Sequence, residues 1–322
     1  MLITTIIPTY RRPTDLARCL TALQNQIRLA DEVLVVVRDT DTATWEFLAS
    51  YSPSMPMRIL TVTVPGVVAA LNTALEIASG EIVTFTDDDA APHADWLQRI
   101  EAHFLADAAL GGLGGRDWRY DGTTLLQEPE RDQVGQLQWF GRMVGNHHVG
   151  VGKPRSIDIL KGVNMSYRQA AIEHLRFDTR LLGTGAQVHN EMAFSLEVKR
   201  RGWKLLYDPA VAVDHFEGSR FEEDRVGNFD STKLAVFNSS YNEALILLEH
   251  LPVTRRMVYL IWSLLIGTRQ APGLLQALRF TASFGTTAWQ RFWVTQRGKF
   301  SALAARRNQQ RHDPQLRDAM PS

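Results

Sequence analysis

Residues 82–89 of this 322-residue chain read Ile-Val-Thr-Phe-Thr-Asp-Asp-Asp, a short apolar run that ends abruptly in three carboxylates. A continuous apolar and β-branched run of this length is typical of a strand buried on both faces. Adjacent carboxylates repel one another, but they suit a hard divalent cation that also binds phosphate oxygens. A helix cap near Pro92 is the alternative, although a cap needs one acid rather than three. The stretch therefore predicts a buried strand that carries acidic ligands at its carboxyl end.

The chain before this run alternates between strand and helix patterns. Strands are predicted at residues 2–7, 32–37 and 58–64, and helices at residues 14–26 and 67–78. Strands that alternate with helices of this length predict an α/β fold with a doubly wound, mainly parallel sheet. Ligands of such sheets bind beyond the carboxyl ends of the strands, so the polar residues at those ends are candidates for function.

The chain after the acidic triplet is less regular. The topology of residues 110–167 cannot be derived from their pattern, although Gly111–Gly115 is predicted to be a strand approached closely by ligand or backbone. Further elements are predicted as helices at 191–201, 234–251, 254–266 and 273–291 and as strands at 204–207 and 211–213. We divide the chain into an α/β domain (1–225), a helical segment (226–307) and a disordered tail (308–322).

The charge distribution changes at the same place. Over the whole chain 35 Lys and Arg cancel 35 Asp and Glu, but residues 1–225 hold 23 basic and 30 acidic side chains, whereas residues 226–322 hold 12 and 5. Ten cations and no acid lie between His250 and His312. These cations are interspersed with aromatic residues and apolar helix faces. That combination favours an anionic membrane surface over nucleic acid as the partner. Packing within the chain, or a homo-oligomer, is the alternative use of these faces.

Cellular location is predicted from three negative observations. The single cysteine, Cys19, cannot form an internal disulfide, and the first residues lack the basic region and apolar core of a signal peptide. No apolar stretch reaches the roughly 20 residues that span a bilayer. We therefore expect a cytoplasmic protein that binds peripherally at the inner face of the cell membrane.

Several short motifs occur in an order that resembles glycosyltransferase family 2, whose GT-A fold binds nucleotide sugars. They extend over roughly residues 1–220. The matching motifs are Ile6–Arg12, Arg38–Asp41, Ala70–Asn72, Ala78–Val83, Asp87–Asp89, Lys161–Arg168, Phe177–Asp178, His189–Glu191 and Arg201-Gly202. The ordered series is more specific than any one of its members. It implies a GT-A-like catalytic domain in residues 1–225.

The resemblance also implies roles for individual residues. Donor nucleotide and sugar would contact Pro8, Thr9, Tyr10, Arg11, Asp39, Asp41, Asn72, Asp87, Asp88 and Arg116. Asp89 and His215 would hold Mg²⁺ or Mn²⁺, Glu191 would be the catalytic base, and Asp117, Asn164 and Asn190 would lie near the donor sugar or the acceptor. Arg38-Asp39-Thr40-Asp41 replaces the family's Asp-Gly-Ser turn, so either Asp39 or Asp41 could face the base.

These residue types suit sugar transfer. A metal neutralises a departing nucleoside diphosphate without proton transfer, and a carboxylate can accept the proton of the attacking hydroxyl. We therefore expect an inverting, metal-dependent glycosyltransferase that acts on a lipid-linked or glycan acceptor in polysaccharide biosynthesis. For Glu191 the alternative is a first-turn acid stabilised by the helix dipole.

Two other functions are weighed against sugar transfer. A nucleotidyltransferase is expected to carry a glycine-rich basic loop after the first strand, and Pro8–Arg12 contains no glycine. A non-catalytic scaffold would bind the nucleotide without turning it over.

Overall fold

The computed structural model describes residues 1–216, 218 and 229–312. The chain forms two compact units. The first consists of Met1–Gln136, Val144–Thr179 and Glu191–Ser219, and the second of Leu137–Met143, Arg180–Asn190 and Arg220–Ser322. The predicted domain boundary at residue 225 and residues 313–322 of the predicted tail lie outside the described residues.

The second unit includes two earlier segments that the sequence pattern assigned to the α/β domain. Residues 180–190 are held there by Asn242, which donates hydrogen bonds to the carbonyls of Leu182 and Val188, at 2.9 and 3.0 Å. Residues 137–143 are held by Arg255, which donates to the carbonyls of Trp139 and Gln138, at 2.7 and 3.1 Å. Hydrogen bonds between residues so far apart in the chain do not affect the local spacing of apolar residues, so the sequence pattern could not predict them.

The first unit is built on a ten-stranded sheet. Its strands are β1 (Ile3–Thr9), β2 (Glu32–Arg38), β3 (Met57–Val62), β4 (Ile82–Phe85), β5 (Ala90–Pro92), β6 (Leu110–Asp121), β7 (Thr124–Leu125), β10 (Arg155–Ser156), β11 (Met165–Arg168) and β12 (Lys204–His215). A separate hairpin is formed by β8 (Gln136–Leu137) and β9 (Met143–Val144). The helices of this part of the chain are α1 (Pro13–Gln24), α2 (Thr42–Ser50), α3 (Val67–Leu75), α4 (Trp96–Ala106), α5 (Gln169–Ile172) and α6 (Asn190–Arg200).

The sheet order is β10-β12-β6-β11-β4-β1-β2-β3, with β5 paired to β12 and β7 to β6. Strands β1 to β4 are parallel, and β12 is parallel to β6, whereas β11 lies antiparallel between β4 and β6. Thr9 pairs with Val37, and Ile6 with Phe85. The carboxyl ends of three neighbouring strands therefore share one edge, which confirms the predicted mainly parallel α/β sheet.

The core lies on both faces of this sheet. Ile3 and Ile7 of β1 pack on one side with Leu16 of α1, while Ile6 packs on the other with Val68 of α3. Successive side chains of a strand point to opposite faces, so a strand covered on both sides needs a continuous apolar run. Each fully buried aliphatic side chain stabilises the fold by about 1.5–3 kcal/mol.

The segment whose topology could not be derived, residues 110–167, contributes the long central strand β6. Its glycine run is packed closely, as predicted: a Cβ on Gly115 would lie 1.6 Å from the carbonyl oxygen of Val211. The two short strands predicted near residues 204–213 are one strand, β12, whose register against β6 shifts between Asp208 and Val213. The glycine allows this bulged backbone to approach β6.

In the part of the second unit that the structure describes, the chain forms the helices α7 (Phe229–His250), α8 (Val253–Leu265), α9 (Leu274–Phe284) and α10 (Thr286–His312). The single helix predicted at residues 273–291 is wrong, because the chain breaks at Gly285, whose φ of 54° lies in the left-handed region. Helix α10 continues to His312, so the first residues of the predicted tail are helical. Among the described residues, no helix has both the length and the apolar content that crossing a bilayer requires.

Candidate active site

The acidic triplet lies in a turn between β4 and β5. Strand β5 pairs with the end of β12, where His215 stands opposite Ala90, and this pairing brings the imidazole next to the triplet. Asp87, Asp89 and His215 each offer one ligand atom, and these atoms all lie within 4.8 Å of one another. We call these three residues the acidic-histidine group.

Asp88 is not a member of this group and contacts the end of β1 and Arg12 instead. It is fully buried, accepts a hydrogen bond from Thr9 Oγ1 at 2.7 Å and pairs with Arg12 Nη2 at 2.7 Å. Burial raises its pKa to about 8. The Asp88 carboxylate thus joins the acidic turn to the end of β1, and its contact with the nucleotide stays a prediction.

Asp89 is buried and presents its two oxygens to different neighbours. Oδ2 accepts hydrogen bonds from Arg12 Nη1 at 2.7 Å and from the Gly218 amide at 2.8 Å. Oδ1 lies 3.5 Å from His215 Nε2 and has no hydrogen-bond partner. Burial opposes ionisation, but His215 and Arg12 outweigh it and hold the pKa of Asp89 well below its usual range. An ionised oxygen is therefore available to a cation.

His215 lies between two carboxylates. Its Nε2 faces Asp89, and its Nδ1 lies 3.5 Å from Oδ2 of Asp117. Burial disfavours the charged imidazole, but the two carboxylates raise the pKa of His215 to about 9. Asp117 is fully buried and pairs with the ammonium of Lys161. The structure thus places Asp117 directly behind His215, although the sequence assigned it to the surroundings of the sugar or acceptor.

The end of β1 and the loop after it contain four of the residues predicted to line the nucleotide. Pro8 lies within β1 opposite Val36, and the Thr9 hydroxyl donates a hydrogen bond to Asp88. Tyr10 is half-buried, with the Arg11 guanidinium 5.0 Å from its ring centroid. Arg11 has a φ of 57°, a left-handed conformation that is costly for a residue with a Cβ and is concentrated at binding sites.

Asp39 and Asp41 differ in burial. Asp41 is buried, accepts from the Arg11 amide and also accepts from Thr44 N at 3.1 Å, which makes it the cap of α2. Asp39 is exposed and pairs with Arg38 at 3.2 Å. The burial of Asp41 favours Asp39 as the residue that faces the base, and both nucleotide contacts stay predictions.

Three asparagines predicted near the ligands instead bind the chain itself. The side chain of Asn72 donates to the carbonyl and accepts from the amide of Phe177, at 2.9 and 2.8 Å. Asn164 accepts from Trp96 Nε1 at 2.9 Å and donates to the Val211 carbonyl at 2.8 Å. Asn190 donates to the Ala186 and Gln187 carbonyls, each at 3.2 Å. These contacts give the three amides structural roles.

Arg116 and Asp117 are neighbours on β6 and have different surroundings. The Arg116 guanidinium lies 3.5 Å from the ring centroid of Trp118, and its Nε donates to the His148 carbonyl at 3.1 Å. Asp117 contacts His215 and Lys161. Arg116 is therefore outside the acidic-histidine group, and its contact with the donor sugar stays a prediction.

Glu191 lies in the first turn of α6 and is half-buried. Its helix is anchored by Phe194, which stacks on Phe177 at 4.1 Å and contacts Tyr167 at 5.0 Å. Phe85, the last residue of β4, meets Phe177 at 5.6 Å. One aromatic cluster thus connects the strand that carries the acidic triplet with the helix that carries Glu191.

Electrostatics place the Glu191 carboxylate near the same aromatic cluster. Burial raises the pKa of Tyr167, and the negative charge of Glu191 adds to the increase. The position at the start of α6 also favours an ionised carboxylate, because the helix dipole is positive there.

Arg12, Lys161 and Gly218 were missed as site residues. Arg12 bridges Asp88 and Asp89, Lys161 pairs with Asp117, and the Gly218 amide binds Asp89. Arg12 and Lys161 each lie at one end of a motif recognised in the sequence, so the sequence could have indicated them as site residues. Gly218 belongs to no motif recognised in the sequence, so nothing in the sequence indicated it.

Comparison with known proteins agrees with this architecture. The glycosyl transferase family 2 model matches residues 4–176. Glycosyltransferase AglE of Haloferax volcanii is 33% identical over 101 residues, which cover 30% of this chain and 33% of that protein. Succinoglycan biosynthesis protein ExoM of Rhizobium meliloti is 32% identical over 110 residues, which cover 33% and 36%. The matches thus span about a third of either relative.

Solved structures resemble the fold at low sequence identity. S. aureus TarS 1-349 in complex with UDP-GlcNAc aligns with a TM-score of 0.53 at 13% identity, covering 96% of this chain and 92% of that one. GalNAc-T7 with UDP, GalNAc and Mn²⁺ aligns with a TM-score of 0.58 at 12% identity, covering 77% and 48%. Both comparisons concern the fold alone.

Proposed function

The chain belongs to glycosyl transferase family 2, and on that premise we propose that it is a metal-dependent glycosyltransferase that inverts the anomeric centre. The donor is a nucleoside-diphosphate sugar and the acceptor carries a hydroxyl. The acidic-histidine group carries this proposal, because it gathers two carboxylates and an imidazole at the sheet edge where α/β folds bind ligands.

The residues of the group fit a divalent cation. Asp89 Oδ1 is buried, ionised and without a hydrogen-bond partner, and Asp87 and His215 each place one more ligand atom beside it. Carboxylates alone suit Mg²⁺, but an imidazole ligand shifts preference toward a transition metal. We therefore propose Mn²⁺ rather than Mg²⁺; the structurally similar GalNAc-T7 was solved with Mn²⁺. When bound, the cation neutralises charge on the departing diphosphate.

The chain's own residues supply the other requirements of the reaction. The nucleotide base lies against Tyr10 and Asp39 beyond the ends of β1 and β2. The Arg12 guanidinium keeps positive charge at the acidic turn. Glu191 accepts the proton of the attacking hydroxyl, and attack opposite the leaving group inverts the sugar carbon.

Transfer from a panel of nucleotide sugars to a panel of acceptors, with Mn²⁺, tests the proposal. We expect one donor to raise the melting temperature and to yield a glycoside of inverted anomeric configuration by NMR. Incorporation of a nucleoside monophosphate from a nucleoside triphosphate would identify a nucleotidyltransferase instead. Binding without turnover of any donor would identify a scaffold.

The helical unit supports a proposal about where the acceptor is presented. Helix α8 has inverted polarity: its buried side carries Arg256, Tyr259 and Ser263, while its exposed side carries large apolar residues. The exposed residues follow helical spacing and are Val253, Met257, Ile261, Leu264 and Leu265. Met257 and Ile261 are 56% and 55% exposed. A polar inner side with an apolar outer side is typical of helices that contact lipid or a partner.

The neighbouring elements extend this surface and add positive charge. Leu275 and Leu278 of α9 and Trp293 of α10 are more than half exposed. Arg269, between α8 and α9, and Arg279, on α9, are exposed as well, and residues 250–312 contain no acid. We call the exposed apolar residues of α8 and α9, with Arg269 and Arg279, the cationic apolar surface.

Charge complementarity favours an anionic bilayer as the partner of the cationic apolar surface. We propose that the protein binds the inner face of the cell membrane there and glycosylates a lipid-linked acceptor in polysaccharide synthesis. The relative ExoM, named for succinoglycan biosynthesis, supports the polysaccharide assignment.

Co-sedimentation with anionic vesicles tests this location. We expect binding at low salt that weakens as salt rises. A concentration-dependent dimer in solution, without vesicle binding, would assign the surface to a second copy of the chain.

A further inference from the structure

Behind the acidic-histidine group lies an ion pair between the buried carboxylate of Asp117 and the partly exposed ammonium of Lys161, and the proposed chemistry does not explain its position. We propose that Asp117 and Lys161 are positioning residues that set the affinity of this group for divalent cations, with opposite signs. Asp117 strengthens binding by orienting His215, and Lys161 weakens it by contributing positive charge. This inference rests on the metal site of the proposed function and assigns two residues outside it.

Asp117 faces the nitrogen of His215 that points away from Asp89. Its Oδ2 lies 3.5 Å from Nδ1, while Nε2 faces Asp89 at the same distance. A carboxylate in this position holds the imidazole with Nε2 toward Asp89, where Nε2 would be the nitrogen offered to a cation. Carboxylates that bind the second nitrogen of a metal-binding histidine commonly change metal affinity 10- to 100-fold.

Asp117 can remain ionised because Lys161 compensates its charge. The carboxylate is fully buried, and its Oδ2 binds the ammonium of Lys161. An isolated buried carboxylate tends to take up a proton. A neutral carboxyl would compete with Nδ1 for the role of donor and would release the imidazole from its orientation.

The charge of Lys161 also lies close to the acidic-histidine group. Its ammonium pairs with Asp117 Oδ2, the oxygen that lies 3.5 Å from Nδ1 of His215. A fixed positive charge next to a cation site reduces affinity by repulsion. Lys161 therefore lowers the affinity of the acidic-histidine group for a cation, while Asp117 raises that affinity by keeping His215 oriented.

Equilibrium binding of Mn²⁺ to the full chain, followed by electron paramagnetic resonance of free Mn²⁺ without nucleotide, tests the inference. We expect Asp117→Asn to raise the dissociation constant about 10- to 100-fold. Lys161→Met should lower it several-fold, and Lys161→Arg should leave it near the wild-type value. If Asp117 and Lys161 served only folding, Asp117→Asn and Lys161→Met would shift the dissociation constant in the same direction.

Two further variants distinguish an effect that Asp117 exerts through His215 from a general loss of structure. In a His215→Ala background, Asp117→Asn should cause no additional loss, because Asp117 acts through His215. Asp208→Asn is the matched control, because it breaks a similar contact, His103 Nε2 to Asp208 Oδ2 at 2.8 Å, elsewhere on β12. It should leave Mn²⁺ affinity unchanged.

The outcomes distinguish the inference from the function on which it rests. If the wild-type chain does not bind Mn²⁺, both the metal site and the inference are overturned. If it binds Mn²⁺, but Asp117→Asn has no effect or shifts affinity in the same direction as Lys161→Met, the inference alone fails. Circular dichroism confirms that each variant is folded before its affinity is compared.

Discussion

The sheet edge of the first unit and the helices of the second place their polar and apolar groups in opposite ways. At the sheet edge an apolar core ends in buried charges, and Asp88, Asp89 and Asp117 are each paired with a cation. In α8 the buried side holds Arg256, Tyr259 and Ser263, and the apolar side chains are exposed. The first arrangement suits a small charged ligand, whereas the second leaves apolar area that a large partner could cover. Substitutions in one region should therefore spare the function of the other.

The largest effect is expected from Glu191→Gln. Loss of a general base reduces turnover about 10²- to 10⁴-fold, while the amide keeps the size of the side chain. Donor affinity and vesicle binding should both stay at the wild-type level, as measured by calorimetry and co-sedimentation. Glu197→Gln, on the same helix but paired with Arg200, is the control and should retain turnover. Full activity in Glu191→Gln would remove this residue as the base.

The next largest effect is expected from Met257→Glu combined with Ile261→Glu. Two charges on the exposed side of α8 should weaken binding to anionic vesicles at least tenfold, because each removes apolar area and repels the lipid. Turnover of a short soluble acceptor should not change. Leu105→Glu is the matched control, since Leu105 is 67% exposed on α4 of the first unit. Equal losses in both variants would contradict a specific surface on α8.

A pH effect should act on the first unit alone. Burial lowers the pKa of His147 to about 4, and its Nε2 donates to the Ile159 carbonyl. The folded state therefore excludes a proton that the unfolded chain binds below pH 6.5. The corresponding stability is complete above pH 6.5 and is lost as the pH falls toward 4.

Urea unfolding at two pH values measures this effect. Between pH 7.5 and 5.0 we expect the free energy of unfolding of the wild type to fall by about 2 kcal/mol relative to that of His147→Gln. His147→Gln can still donate to Ile159 but does not titrate, and the other titrating groups, such as Asp88 and His215, are common to both proteins. An identical pH dependence in the two proteins would assign the loss to other groups.

The smallest effect is expected from Arg279→Ala. One cation near an anionic surface contributes about 1 kcal/mol, so vesicle binding should weaken about fivefold at low salt. The difference should disappear at high salt and with uncharged vesicles. Arg279→Lys keeps the charge and should bind as the wild type does. A loss that does not depend on salt would indicate a packing role for Arg279.

Local sequence predicted the first unit well where neighbours in the chain are neighbours in space. The apolar runs of β1, β2 and β4 predicted buried parallel strands, because strands covered on both faces need such runs. The order of the motifs identified the family, which the match to residues 4–176 confirms. The break at Gly285 was not anticipated, because apolar residues continue on both sides of it.

The individual roles of the site residues were less predictable. Asp87, Asp88 and Asp89 look alike in the sequence, yet Asp88 turns inward to Thr9 and Arg12. Asn72 and Asn164 match family motifs but hold backbone groups of distant segments. A matched motif does not distinguish a residue that binds ligand from one that holds the fold.

The sequence by itself determined the α/β class, the family and the division between acidic and cationic parts, since periodicity, motif order and charge are properties of neighbouring residues. Only the tertiary structure decided which carboxylates meet His215, that Lys161 and Asp117 lie behind it, and that α8 turns its polar side inward. Those facts depend on strand pairing and burial between residues far apart in the chain. A carboxylate acquires its charge state and its task from the neighbours that folding brings to it.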